Sequence, residues 1–137
     1  MRRLTQAVVC MLAMIGPLMR SQDAESGRSK LPAPTHAEVA YGAHARNVLD
    51  VWLADSTAPT PVLVYFHGGG FVTGSKGNLP ASVLAAAKRE GISVVAANYR
   101  LAPEVAFPAH YLDCARVIQF VRHHARGNGT WIPRAWR

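Results

Sequence analysis

The sequence predicts an α/β fold with a parallel sheet, and three features carry that expectation. Two apolar runs, 61–66 and 92–97, are rich in Val and lack polar alternation, the pattern of strands buried on both faces. Between them lies a helix-patterned segment, and strand, helix, strand gives a βαβ crossover. Ahead of them stands a stretch of period-two alternation, which suits a hairpin at a sheet edge.

From the N-terminus, Arg2 and Arg3 precede an apolar run over 7–15 that ends at Gly16 and Pro17. Charge, short apolar core and breaker in that order resemble a secretory leader, so 1–19 reads as a signal peptide or short anchor and the chain as exported. The run is too short for a confident membrane span, which takes about 20 apolar residues. Residues 20–36 are polar and rich in Ser, Gly and Pro, and read as a linker. The folded part is expected over 37–126, with 127–137 as a short basic tail that departs from it.

Within the folded part, Val39 and Tyr41, then Leu49, Val51 and Leu53, mark the two hairpin strands. After the first apolar run, Asn78 and Pro80 open a helix with Val83, Leu84 and Ala87 on one face and Gly91 past its end. A loop holding Pro103 and Pro108 follows the second run. A second helix over 109–126 then places Cys114, Val117, Ile118 and Val121 at helical spacing, with Asp113 and Arg116 pairing on its solvent side.

Composition narrows the function classes. The chain is 50% hydrophobic and 17% charged, ordinary values for one globular domain. Its net charge of +7 is scattered, with many of the arginines near the two ends, and no aromatic stripe accompanies it, so a nucleic-acid partner is not expected. Cys10 and Cys114 are the two cysteines; the first lies in the leader, so no disulfide framework is implied. Cys114 falls on the apolar helix face and reads as a small core hydrophobe.

The informative stretch is His67, Gly68, Gly69, Gly70 and Phe71, which follows the first buried run and precedes a helix. A phosphate-binding loop would need Gly, then Lys and Ser or Thr in that order, but Gly74 is followed by Ser75 and then Lys76. A dinucleotide fingerprint would need a third glycine where Thr73 stands, and an acidic residue where the second run ends in Asn98, Tyr99 and Arg100. An oxyanion hole remains: glycines let two backbone N–H groups converge on one developing negative oxygen. A plain strand-to-helix turn would read the same way from these residues alone.

Taken with what surrounds it, the stretch resembles the hormone-sensitive-lipase-like branch of the α/β-hydrolase family. The elements agree in order: Val62, Leu63, Val64, Tyr65 and Phe66; the His67 to Phe71 motif and Gly74; Val94, Val95, Ala96 and Ala97. They continue through Asn98, Tyr99, Arg100, Leu101, Ala102, Pro103 and Glu104, then Phe107, Pro108, Ala109 and Asp113. The resemblance covers about 38–126 and corresponds to the N-terminal half of the family's catalytic domain. It implies a carboxylic-ester hydrolase, a small-molecule ester substrate and no metal or organic cofactor. It assigns the oxyanion N–H groups to Gly69 and Gly70, with Gly68 and His67 shaping the loop, and makes the stretch from Tyr99 to Pro108 and Asp113 structural braces. His110, His123 and His124 have helix or loop-face readings without metal partners.

The family's nucleophile sits on a G-x-S-x-G elbow, followed by an acid and then a histidine. No serine here qualifies; Ser75 comes nearest, but Thr73 stands where a glycine is needed. The expectation is therefore the first half of the fold, truncated before the elbow by a frameshift or early stop, and inactive as it stands. The alternative is a noncatalytic α/β module whose glycine loop binds an anion or a partner.

Overall fold

A computed structural model of the chain describes residues 31–125. The proposed leader, most of the proposed linker and the basic tail lie outside these residues. Four strands and two helices follow one another as β1 (His36–Ala40), β2 (Val48–Trp52), β3 (Val62–Phe66), α1 (Ala81–Arg89), β4 (Ser93–Ala97) and α2 (Ala109–Ala125). A short 3-10 turn, Lys76–Asn78, precedes α1. The sheet order is β1-β2-β4-β3; β1, β2 and β4 run antiparallel in turn, and β3 pairs with β4 in parallel.

β4 is the centre of the molecule because it has strands on both sides and helices on both faces; all five of its residues are buried. Its alternation sorts the core in two. Val95 and Ala97 join Leu49, Val51, Val117 and Val121 on the α2 face, while Val94 and Ala96 join Trp52, Leu79, Leu84 and Ala87 on the α1 face. Each fully buried Val or Leu contributes about 2 kcal/mol of transfer free energy.

The hairpin, the crossover and the second helix are as the sequence predicts, with four local differences. The first concerns β3, expected to be buried on both faces: Leu63 is 38% exposed and the other four residues are half-buried. Its apolar composition resembles that of β4, but among the described residues it has a strand on one side only. Second, Val83 and Ile118 point outward, leaving Leu84 and Ala87, and Val117 and Val121, as the buried stripes.

The third difference is Asp113. Its pair with Arg116 forms at 3.2 Å, but the carboxylate is fully buried and its main partner is Arg100, so it does not lie on the solvent side. The fourth lies in the expected linker, whose last residues belong to the fold. Leu31 packs against the Trp52 cluster, Trp52 Nε1 donates to the Pro32 carbonyl at 2.9 Å, and the Leu53 N–H donates to Thr35 Oγ1 at 3.0 Å. β1 then begins at His36.

Candidate active site

The carboxyl end of β3 delivers the chain into the glycine stretch. His67 is 3% exposed, with its ring stacked on Tyr99 at 4.3 Å and 10°. His67 Nδ1 lies 2.8 Å from the Gly68 carbonyl, so that nitrogen carries the proton and Nε2 is a bare acceptor, buried without a partner among the described residues. Burial holds His67 below its usual pKa of 6.5; the nearby Arg46 charge works in the same direction, and the Gly68 hydrogen bond only partly opposes them. It is a neutral structural histidine.

Beyond it the backbone turns through the left-handed region at Gly69 (φ 118°), Gly70 (φ 61°), Phe71 (φ 63°) and Gly74 (φ 105°). Two of these glycines are sterically required. A Cβ on Gly69 would lie 2.1 Å from the Thr73 carbonyl oxygen, and one on Gly74 would lie 2.4 Å from His67 Nδ1. The Val72 and Thr73 N–H groups close the turn onto the Gly69 carbonyl at 3.1 and 3.2 Å. The N–H groups of Gly69 and Gly70 themselves donate to no acceptor among the described residues, and a Cβ on Gly70 would meet only open space. α1 begins only at Ala81, so these are loop amides and not a helix N-terminus.

The loop is held from outside at both ends. Tyr99 Oη donates to the His67 carbonyl at 2.7 Å. Arg46, in the hairpin loop, donates through Nε to the Tyr99 carbonyl at 2.8 Å and through Nη2 to the Gly74 carbonyl at 3.0 Å. Past Gly74, the Lys76 N–H donates to Asn98 Oδ1 at 2.7 Å, and Lys76 Nζ pairs with Asp50 at 2.8 Å and with Glu38. Burial opposes the Lys76 charge, but the two carboxylates more than reverse this and raise its pKa. Lys76 is thus committed to β1 and β2, away from any phosphate at the loop.

A second brace ties β4 to α2. Asp113 accepts from Arg100 Nε and Nη2, both at 2.8 Å, and from the Arg100 N–H at 3.1 Å. Burial pushes the Asp113 carboxyl up, and the Arg100 hydrogen bonds outweigh it, so the group titrates below its ordinary 3.8. Sequence reading had no route to Arg46, because a single arginine in a hairpin loop carries no mark of the carbonyls it reaches.

The remaining candidates do not gather around Gly69 and Gly70 as a catalytic set. The Ser75 N–H is held by Asn78 Oδ1 at 2.8 Å. Cys114 is half-buried on α2, where burial raises its thiol pKa. His124 Nδ1 lies 2.7 Å from the Phe120 carbonyl, and both nitrogens of His44 are engaged, by the Arg46 N–H at 3.1 Å and by Glu104 at 2.7 Å. His110 is 5% exposed, packed against Phe71 at 4.9 Å, with Nε2 unpartnered among the described residues. No group of three metal-capable side chains comes together among the described residues, and no helix there is long and apolar enough to cross a membrane.

Comparison with known proteins identifies the fold. Residues 63–135 match the family model described as α/β hydrolase fold. Tuliposide A-converting enzyme 2, chloroplastic, of Tulipa gesneriana is 51% identical over 70 residues, 49% of this chain and 18% of that one. Probable carboxylesterase 8 of Arabidopsis thaliana is 42% identical over 80 residues, 53% of this chain and 24% of that one. Among solved structures, a bacterial heroin esterase superposes with a TM-score of 0.56 at 31% identity, over 66% of this chain and 29% of that one. The chain thus spans about a fifth of the length of the curated relatives it matches.

Proposed function

The chain belongs to the α/β-hydrolase family, in the branch that holds its carboxylesterases, and from that membership we propose that residues 67–70 act as the oxyanion loop of a carboxylic-ester hydrolase. The observation that carries this reading is the pair of N–H groups on Gly69 and Gly70, without acceptors in a loop pinned at His67 and Gly74. Donors fixed before the reaction cost no reorganisation when the carbonyl oxygen becomes an oxyanion, and one such donor is worth about 100- to 1000-fold in rate. Gly68 and His67 shape the loop, and the chemistry draws on no metal or organic cofactor.

Hydrolysis also needs an acyl-accepting nucleophile, and the 137 residues contain no G-x-S-x-G. These 137 residues carry the proposed anion site and no such serine, and the expected result is that by themselves they do not turn over an ester. Two measurements on the 137-residue chain test the reading. Methylphosphonate, a small tetrahedral anion, should shift the Gly69 and Gly70 amide resonances, while p-nitrophenyl acetate should hydrolyse no faster than in buffer. Unmoved glycine amides would sink the oxyanion assignment, and stoichiometric labelling by a fluorophosphonate would sink the inactivity.

The same free amides support the second reading, a noncatalytic anion-binding module. A preference of these amides for tetrahedral methylphosphonate over planar acetate favours the oxyanion loop; equal binding of both anions favours that module. Residues 1–19 we read as a targeting segment. The tulip relatives are named as chloroplastic and amyloplastic, which supports a leader at this end and gives no support to the periplasm or the extracellular space as its destination.

A further inference from the structure

Immediately after the loop the chain does something costly. Phe71 sits at φ 63°, a region a bulky L residue rarely enters. Strain of this kind persists only where the surrounding structure over-determines the residue's conformation. The Ala102 N–H donates to the Phe71 carbonyl at 2.8 Å and fixes the backbone in that state. The side chain is sheltered only in part, since Phe71 stays 37% exposed and Val72 beside it 61%.

What the strained backbone does is bring the Phe71 ring into a row of aromatic groups. Phe71 meets Tyr111 of α2 at 5.4 Å and 48°, and Tyr111 meets Phe107 at 5.6 Å and 71°. Beneath Phe71, the buried His110 ring packs at 4.9 Å. Tyr111 is 55% exposed and Phe107 77%, so the row forms an open shelf that starts one residue from Gly70. Aromatic side chains grouped in this way offer flat apolar area to a further ring.

We propose that Phe71, Tyr111 and Phe107 form a recognition shelf for an aromatic ring carried by the ester whose carbonyl oxygen sits at Gly69 and Gly70. The inference rests on the oxyanion reading of the loop and extends it to the substrate class. Two features favour an aryl group over an alkyl chain. The rings are tilted against one another and expose both edges and faces, the arrangement in which a further flat ring pairs offset or edge-to-face. Among the described residues the outer two rings are also more than half exposed, so a flexible alkyl group lying on them would lose rotamer freedom while one side of it stayed in solvent.

The test uses the 137-residue chain and three anions that differ only in substituent: methylphosphonate, butylphosphonate and phenylphosphonate, each titrated by amide NMR. Phenylphosphonate should bind about tenfold more tightly than butylphosphonate, the size of one or two aromatic pairings. The double variant Phe107→Leu with Tyr111→Leu keeps apolar bulk on an exposed surface and should abolish that preference while leaving methylphosphonate binding unchanged. Equal affinities for phenyl and butyl in the unmodified chain, or a preference that survives the double variant, would overturn the shelf. So would self-association of the chain that the double variant abolishes without any aryl preference, since the row would then be a protein contact. If no phosphonate moves the Gly69 and Gly70 amides, the loop reading fails separately. The shelf is then judged by benzyl alcohol against butanol, with the same double variant.

Discussion

His67, in the loop proposed to hold the oxyanion, is tied into the fold by three contacts. Its ring stacks on Tyr99, its Nδ1–H is spent on the Gly68 carbonyl, and its carbonyl takes the Tyr99 hydroxyl. Because burial depresses its pKa, the unfolded chain takes up the His67 proton at a higher pH than the folded one does. That contribution to stability is full above 6.5 and is lost as pH falls from there through the lower folded value. Asp113 behaves in the same sense further down: its stabilisation is full above 3.8 and disappears as pH drops through its depressed folded value. We therefore expect the thermal midpoint to fall between pH 7.5 and pH 5.5. His67→Asn, whose amide can still donate to Gly68, should show a smaller fall. Equal falls in the two proteins would refute the assignment, because they differ at this residue alone.

At the scale of elements, strand type was legible in the sequence and strand position was not. Residues 61–66 and 92–97 both read as fully buried strands, because Val-rich composition reports what a strand can tolerate and not how many neighbours it has. The glycine loop was legible for a better reason: left-handed φ at Gly69 and Gly70 leaves a direct mark on residue choice, and so does the contact of Gly74 with His67. The clamps were not legible, since Arg46 reaches Gly74 across 28 positions and Lys76 reaches Asp50 across 26. Phe71 belongs to the same five-residue stretch, yet its strain and its place in an aromatic row appear only in three dimensions. The difference between the strands has a measurable consequence. Leu49→Ala, at a position of zero exposure in β2, should cost about 3 kcal/mol in chemical denaturation. Leu63→Ala in β3, at 38% exposure, should cost under about 1 kcal/mol. Similar costs at the two sites would mean that β3 is covered in solution.

For the molecule as a whole, the asymmetry of the sheet decides its behaviour. The β1 edge is interrupted between His36 and Val39, where Glu38 takes φ 53°, and it carries charge at Glu38, which pairs with Lys76. Natural edges are guarded in this way against pairing with another chain. The opposite edge, β3, has none of these guards: it reads Val, Leu, Val, Tyr, Phe, with no bulge, proline or charge, and its outer hydrogen-bonding groups have no strand beside them among the described residues. A second copy of the same strand is the readiest partner available to a purified chain. The isolated polypeptide should therefore self-associate with rising concentration, through β3 and not through β1. Leu63→Lys would place a charge at an exposed position on that edge with little loss of core, and should shift light scattering toward the monomer at matched concentration. Glu38→Lys changes charge at the guarded edge and should leave association through β3 in place. If the Leu63 variant scatters as strongly as the unmodified chain, the association runs through another surface, and the aromatic row at Phe107 and Tyr111 is the next to examine.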